Sequence, residues 1–194
     1  MKITIYNVKG GVGKTRIALN LALTMQFAII TNEVYSPTIE KVLDEKQFMK
    51  LKPDDDLEIY PDKFDIIFDF GGFIDKRVVN ALQQSDWVIV PTINEFDDMS
   101  ATISIIQEIE ELNKNIIIVA NKTQKGDFKH VQKAMKQYYD YPVFEIKLSR
   151  AFPNISNEGK SIKEMAAEGG LKAFTYKALN KQCDDLINFI SQKV

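Results

Sequence analysis

Apolar residues along this chain fall into two kinds of run. Ile3–Val8 (ITIYNV), Phe27–Thr31 (FAIIT), Asp65–Phe70 (DIIFDF), Trp87–Pro91 (WVIVP), Ile116–Ala120 (IIIVA) and Val143–Ile146 (VFEI) are apolar almost without interruption. Short runs rich in β-branched and aromatic residues read as strands buried on both faces, not as strands with one wet side. Between them, apolar residues recur at helical spacing. Ile17, Leu21 and Met25 share one face of Lys14–Gln26, with Ala18 and Ala22 beside them. The same reading gives helices at Pro37–Phe48, Val78–Gln84, Met99–Leu112, Phe128–Tyr139 and from Ile162 to the end, the last interrupted by Gly169 and Gly170. Lys52–Asp56 reads as a loop. Strands alternating with helices predict an α/β fold: a doubly wound, mostly parallel sheet with helices on both faces. The sequence contains no linker, internal repeat or low-complexity tract, so one domain over residues 1–194 is expected.

Composition narrows the class only modestly. With 45% hydrophobic and 27% charged residues, the chain has the makeup of a globular protein. No apolar run approaches the ~20 residues of a membrane-spanning helix. The N-terminus reads as a strand leading straight into a motif, not as a signal peptide. The lone cysteine, Cys183, excludes an internal disulfide and a four-cysteine metal site within one chain. A reduced, cytosolic compartment is therefore the default expectation. The net charge of −2 hides an asymmetry: residues 1–111 hold 11 Lys+Arg against 19 Asp+Glu, and residues 112–194 hold 14 against 8. Such a split either marks two surfaces with different partners or is scatter over solvated faces.

The chemistry concentrates in YNVKGGVGKTRIAL, Tyr6–Leu19. A glycine-rich turn between a strand and a helix aims several backbone N–H groups at one point, where the helix dipole adds positive potential. Gly10, Gly11, Val12 and Gly13 would cradle phosphates, Lys14 would reach the β- and γ-phosphates, and the Thr15 hydroxyl would ligate Mg²⁺. The usual pattern, G-x-x-x-x-G-K-[ST], asks for glycine at position 8, where this chain has Val8. It has instead a second lysine, Lys9, just before the glycines.

That string, K-G-G-V-G-K-T from Lys9 to Thr15, closely resembles the deviant Walker A motif of the ParA/MinD family of ATPases. The resemblance implies a P-loop NTPase fold with ATP and Mg²⁺ as cofactors. It implies that Lys9 crosses a nucleotide-dependent homodimer to the phosphates held by the other subunit, a charge clamp on the transferring phosphoryl group. Phe64–Gly72 (FDIIFDFGG) resembles the family's Walker B strand, so Asp69 would hold a Mg²⁺-bound water. Ser85–Thr92 (SDWVIVPT) resembles the next strand. Asn121 stands where relatives contact adenine, although an asparagine in a strand-end turn needs no ligand. Leu148–Ile162 (LSRAFPNISNEGKSI) resembles the segment around the family's last strand and following helix, placing Leu148 against the base.

The chain also departs from the family. Thr31-Asn32-Glu33 replaces the usual D-x-D, so Glu33 stands in as the group that orients attacking water, and slow hydrolysis is expected. Arg16 replaces a common threonine and either approaches the α-phosphate or faces solvent. The segment between Glu33 and the Walker B strand is short, and no helix-turn-helix precedes the motif. The resemblance is thus to small ParA-type partitioning proteins. It implies an ATP hydrolase that positions a plasmid, chromosome region or other cargo, is cytoplasmic, and associates with the nucleoid when ATP-bound.

Non-specific DNA is the expected partner of the positive half, through Lys122, Lys125, Lys129, Lys133, Arg150, Lys160, Lys163, Lys172, Lys177 and Lys181. Glu95–Glu111 holds six acids and no base. It is either a solvated helix face or the docking face for a ParB-like or other adaptor protein. Leu179, Cys183, Leu186, Ile187 and Ile190 form a stripe on the last helix, expected to dock on the core because Asp184 and Asp185 oppose membrane binding. His130 reads as a surface residue. The rival classes are a MinD-like membrane-associated switch and a metabolic ligase on the same scaffold.

Overall fold

The computed structural model describes residues 1–35 and 37–192. The elements are β1 (Lys2–Asn7), α1 (Lys14–Met25), β2 (Ala28–Thr31), β3 (Phe48–Lys50), β4 (Ile66–Gly71), α2 (Lys76–Gln84) and β5 (Trp87–Thr92), then α3 (Phe96–Glu110), β6 (Ile116–Thr123), α4 (Asp127–Met135), β7 (Val143–Lys147), α5 (Ala151–Glu158), α6 (Ile162–Ala167) and α7 (Gly170–Ser191). The strands form one sheet in the order β3-β2-β4-β1-β5-β6-β7. Every pairing is parallel.

Two-sided burial explains the uninterrupted apolar strands. Successive side chains point to opposite faces. Ile3 and Ile5 of β1, Ile67 of β4 and Ile117 and Val119 of β6 enter a core shared with α1, α5, α6 and α7. Tyr6, Phe68, Phe70, Ile116 and Ile118 enter the opposite core, with α2, α3 and α4. The helix stops are equally local. Ser161 and Glu164 form a reciprocal capping box at the start of α6. Gly169 and Gly170, both at positive φ, separate α6 from α7. Along α7, Leu179, Cys183, Leu186 and Ile190 are buried and Ile187 is partly so, which bears out the expected docking of that helix. Among the described residues no helix is long and apolar enough to cross a membrane.

One expected helix is absent. Pro37–Phe48 forms consecutive turns that end in strand β3. Ile39 and Leu43 are buried at helical spacing, and Leu43 N donates to Ile39 O at 2.9 Å. The turn then breaks at Asp44, whose N–H bonds the Gln47 side chain, while Gln47 O accepts Ile29 N at 2.8 Å and begins the pairing with β2. Helical expectation from Ile162 onward holds to Ser191; Lys193 and Val194 lie outside the described residues.

The chain runs outward from β1 to β2 and β3, returns to β4, then crosses to β5 on the other side of β1. Open α/β sheets bind ligands at such a switch, beyond the carboxyl ends of the strands. The loop leaving β1 there is the glycine-rich one.

Candidate phosphate-binding site

The loop after β1 opens α1 with Gly13 as its N-cap, at φ 96°. That φ suits glycine, and a Cβ would also collide with the Asn121 amide. Gly11, Gly13, Lys14, Thr15, Arg16, Glu33 and Lys122 line a pocket of about 330 Å³. A smaller adjoining one of about 30 Å³ shares Gly13, Arg16 and Lys122 and adds Asn121, Leu148 and Phe152. The structure thus gathers most of the sequence-derived site residues, with Asn121 and Leu148 in the side pocket. Gly10 is exposed in the loop and Val12 is fully buried beneath it.

Lys14 is nearly buried, and its Nζ donates to Lys9 O at 3.0 Å. Burial lowers its pKa, opposed by the charges of Asp69 and Glu33. Its stem passes over Gly71, where a Cβ would lie 2.9 Å from Cε. A side chain at position 71 would therefore displace the lysine. The Lys9 backbone is held from both ends, since its N–H donates to Asn7 Oδ1 at 2.9 Å. Asn7 is itself fully buried and donates to Pro91 O and the Thr102 hydroxyl.

Asp69, on β4, is buried and neither carboxylate oxygen has a hydrogen-bond partner. Thr15 lies close enough to favour the charged form without the geometry of a hydrogen bond. Burial dominates, and the carboxyl is raised to about 7, with the Glu33 charge adding to the rise and Lys14 opposing it. Buried polar groups are normally partnered. An orphaned carboxylate next to a threonine hydroxyl and a cradle of amides suits a hydrated Mg²⁺ bound beside phosphates. The residues present fit a Mg²⁺–nucleotide.

Asn32 holds the β2 end to the β4 end. Its Nδ2 donates to Gly71 O at 2.8 Å and its Oδ1 accepts Gly71 N at 3.1 Å. Thr31 Oγ1 donates to Asp69 O at 2.8 Å and accepts Glu33 N at 3.0 Å. Thr31, the first residue of the Thr31-Asn32-Glu33 string, thus offers a hydroxyl bound to the backbone of β4 where a carboxylate was lost, and the Asn32 amide adds a two-way bracket beside it.

Asn121 is committed within the chain: its Nδ2 donates to Val12 O at 2.7 Å and its Oδ1 accepts Lys122 N at 2.9 Å. Lys122, grouped above with the DNA-facing cations, instead donates to Gly11 O at 2.6 Å. Of the other cations in that group, Lys160, Lys172 and Lys181 are ion-paired to Glu168, Glu158 and Asp185. Lys125, Lys129, Lys133, Arg150, Lys163 and Lys177 make no salt bridge among the described residues. His130 pairs with Asn94 at 2.5 Å on the exposed surface and lines neither pocket.

The structural roles of Asn7, Asn32 and Lys122 at this site escaped the sequence reading. Asn7 left a trace, a polar residue closing an apolar strand; the other two act across 39 and 111 residues and left none.

No protein-family model matches the chain, and no curated protein matches it. Solved structures do. A Cyanothece McdA variant in complex with ATP superposes with TM-score 0.68 at 15% identity, covering 95% of this chain and 94% of that one. The septum site-determining protein MinD of Pyrococcus horikoshii with Mg-ADP gives TM-score 0.65 at 16% identity, covering 97% of each. A ParA-family ATPase from Chlorobium tepidum gives 0.56 at 18%, covering 91% and 96%. From the parallel sheet to the glycine loop at its switch point, this chain has the fold of the McdA, MinD and ParA-family ATPases.

Proposed function

We propose that the chain, as one domain, is a ParA-like ATPase that binds Mg²⁺–ATP, dimerises across it, binds DNA without sequence preference and hydrolyses ATP when a partner stimulates it. The carrying observation is the partnerless, buried Asp69 carboxylate beside Thr15 and the glycine loop. Bound Mg²⁺–ATP would supply a scissile phosphoanhydride and the charge that neutralises it. Lys14 would exchange the Lys9 carbonyl for phosphate oxygens, with the charges of Asp69 and Glu33 opposing the fall in its pKa that burial causes. Thr15 and Asp69 would hold the metal. Glu33 lines the pocket and positions water. Lys9 has a side chain without hydrogen-bond or ion-pair partner among the described residues, and serves the second subunit's phosphates. Arg16 and Leu148 flank the nucleotide.

The DNA surface consists of the cations without carboxylate partners, Lys125, Lys129, Lys133 and Arg150, with Lys163 and Lys177. Unpaired lysines displace phosphate counterions more cheaply than lysines that must first leave a carboxylate. ParB-like adaptors or similar proteins would dock on the acids of Glu95–Glu111. The nucleotide cycle would place the protein on the nucleoid and move a plasmid, chromosome region or other cargo.

The test is DNA binding with ATP, ADP or no nucleotide across a salt series, with sedimentation of the protein alone. Binding and dimerisation should appear with ATP only and weaken steeply with salt. Equal binding in all three states defeats the gated reading, and a Lys9→Ala chain that still dimerises on ATP defeats the trans role.

A further inference from the structure

Two consecutive residues at the end of β6 hold two consecutive carbonyls of the glycine loop. Asn121 Nδ2 takes Val12 O at 2.7 Å, and Lys122 Nζ takes Gly11 O at 2.6 Å. The strand is shaped for this. Its register against β7 shifts between Asn121 and Thr123. Lys122 lies at φ 54°, in the left-handed region that a lysine enters at a cost. The turn is closed by Asn121 Oδ1, which accepts the Lys122 N–H at 2.9 Å. A regular β6 would alternate its side chains between the two faces of the sheet; the bulge lets Lys122 reach the loop.

The consequence follows from peptide geometry. In a trans peptide the carbonyl of one residue and the N–H of the next point in opposite directions. Holding Gly11 O fixes the direction of the Val12 N–H, and holding Val12 O fixes that of the Gly13 N–H. Lys14 does the same at Lys9 O for the Gly10 N–H. An anion cradle depends on such N–H groups converging before the ligand arrives, because ordering them afterwards subtracts from affinity.

We infer that Lys122 is a positioning residue for phosphate binding: its ammonium holds the Gly11 carbonyl so that the loop amides are aligned in the ligand-free chain. This rests on reading the pocket as a nucleotide site. The ligand class is a nucleoside polyphosphate, with diphosphate and triphosphate served alike, since the loop and not a single phosphate is what Lys122 orders.

The experiment compares the full chain with Lys122→Ala and Lys122→Arg. Hydrogen exchange of the Val12 and Gly13 amides is followed by NMR without ligand, and ATP and ADP affinities with Mg²⁺ by calorimetry. Lys122→Ala should speed the Val12 amide most, because Asn121 still holds the carbonyl behind the Gly13 amide, and should weaken ATP and ADP by a similar factor, about tenfold for a lost charged hydrogen bond. Lys122→Arg, which keeps a charged donor, should restore both. Unchanged amides in Lys122→Ala overturn the inference, whatever happens to affinity. So do loosened amides with unchanged affinities, or a loss confined to ATP, which would mark direct contact with the terminal phosphate. A wild-type chain that binds neither nucleotide would defeat the nucleotide reading, while the amide comparison would still show whether Lys122 orders the loop.

Discussion

A buried carboxylate that no donor bonds is stabilised by a proton or by a cation. Burial lifts the Asp69 carboxyl to about 7, whereas in the unfolded chain it titrates near 3.9, as an ordinary aspartate does at about that value. The native ligand-free chain therefore holds a proton that the unfolded chain releases. The associated stability is fully present below about pH 4 and is lost as pH rises toward 7. Asp69→Asn removes the titration. Urea unfolding of Mg²⁺-free protein at stepped pH should show wild type losing up to about 1.4 kcal/mol per pH unit relative to Asp69→Asn across that window. Parallel stability curves would mean the carboxylate is already ionised and partnered. Mg²⁺–ATP should reverse the ranking at pH 7, stabilising wild type more than the variant. At this scale the glycine string and its lysines were legible because a loop motif is contiguous. The tasks of Asn32 and Lys122 were not, because each is defined by a backbone atom on another element.

Elements succeed or fail on their own signals. Asp75 caps α2, accepting Arg77 N at 2.9 Å and Val78 N at 3.0 Å. The Arg77 guanidinium also reaches Lys52 O at 2.7 Å, tying the cap to the Lys52–Asp56 loop. Asp75→Ala should cost about 1 kcal/mol, read as a lower melting temperature with nucleotide affinity unchanged. An affinity loss would show that the cap communicates with Gly71 and Gly72, which precede it. The buried strands were readable because two-sided burial demands unbroken apolar runs. β3 was not: Phe48, Met49 and Lys50 are only three residues at the sheet edge, with Met49 about half exposed. The apolar spacing of Ile39 and Leu43 satisfied a helix pattern locally, but the need of β2 for an edge partner decided the outcome at Gln47.

At the scale of the molecule, α/β alternation fixed the class, and the switch at β1 placed the site where the glycine loop already pointed. Strand order could not be read from the sequence, because parallel pairing depends on crossovers that leave no periodic trace. Charge asymmetry was visible in the sequence, but which lysines are spent internally was not. One consequence concerns the sole tryptophan. Trp87 starts β5, at the end of the sheet away from the glycine loop; its Nε1 donates to Ile190 O at 3.2 Å and its ring lies 5.3 Å from that of Phe189. Intrinsic fluorescence should therefore stay constant when nucleotide is added and shift red when α7 peels away on heating. The chain carries an optical gauge of its own C-terminal seam, blind to the chemistry at the opposite end.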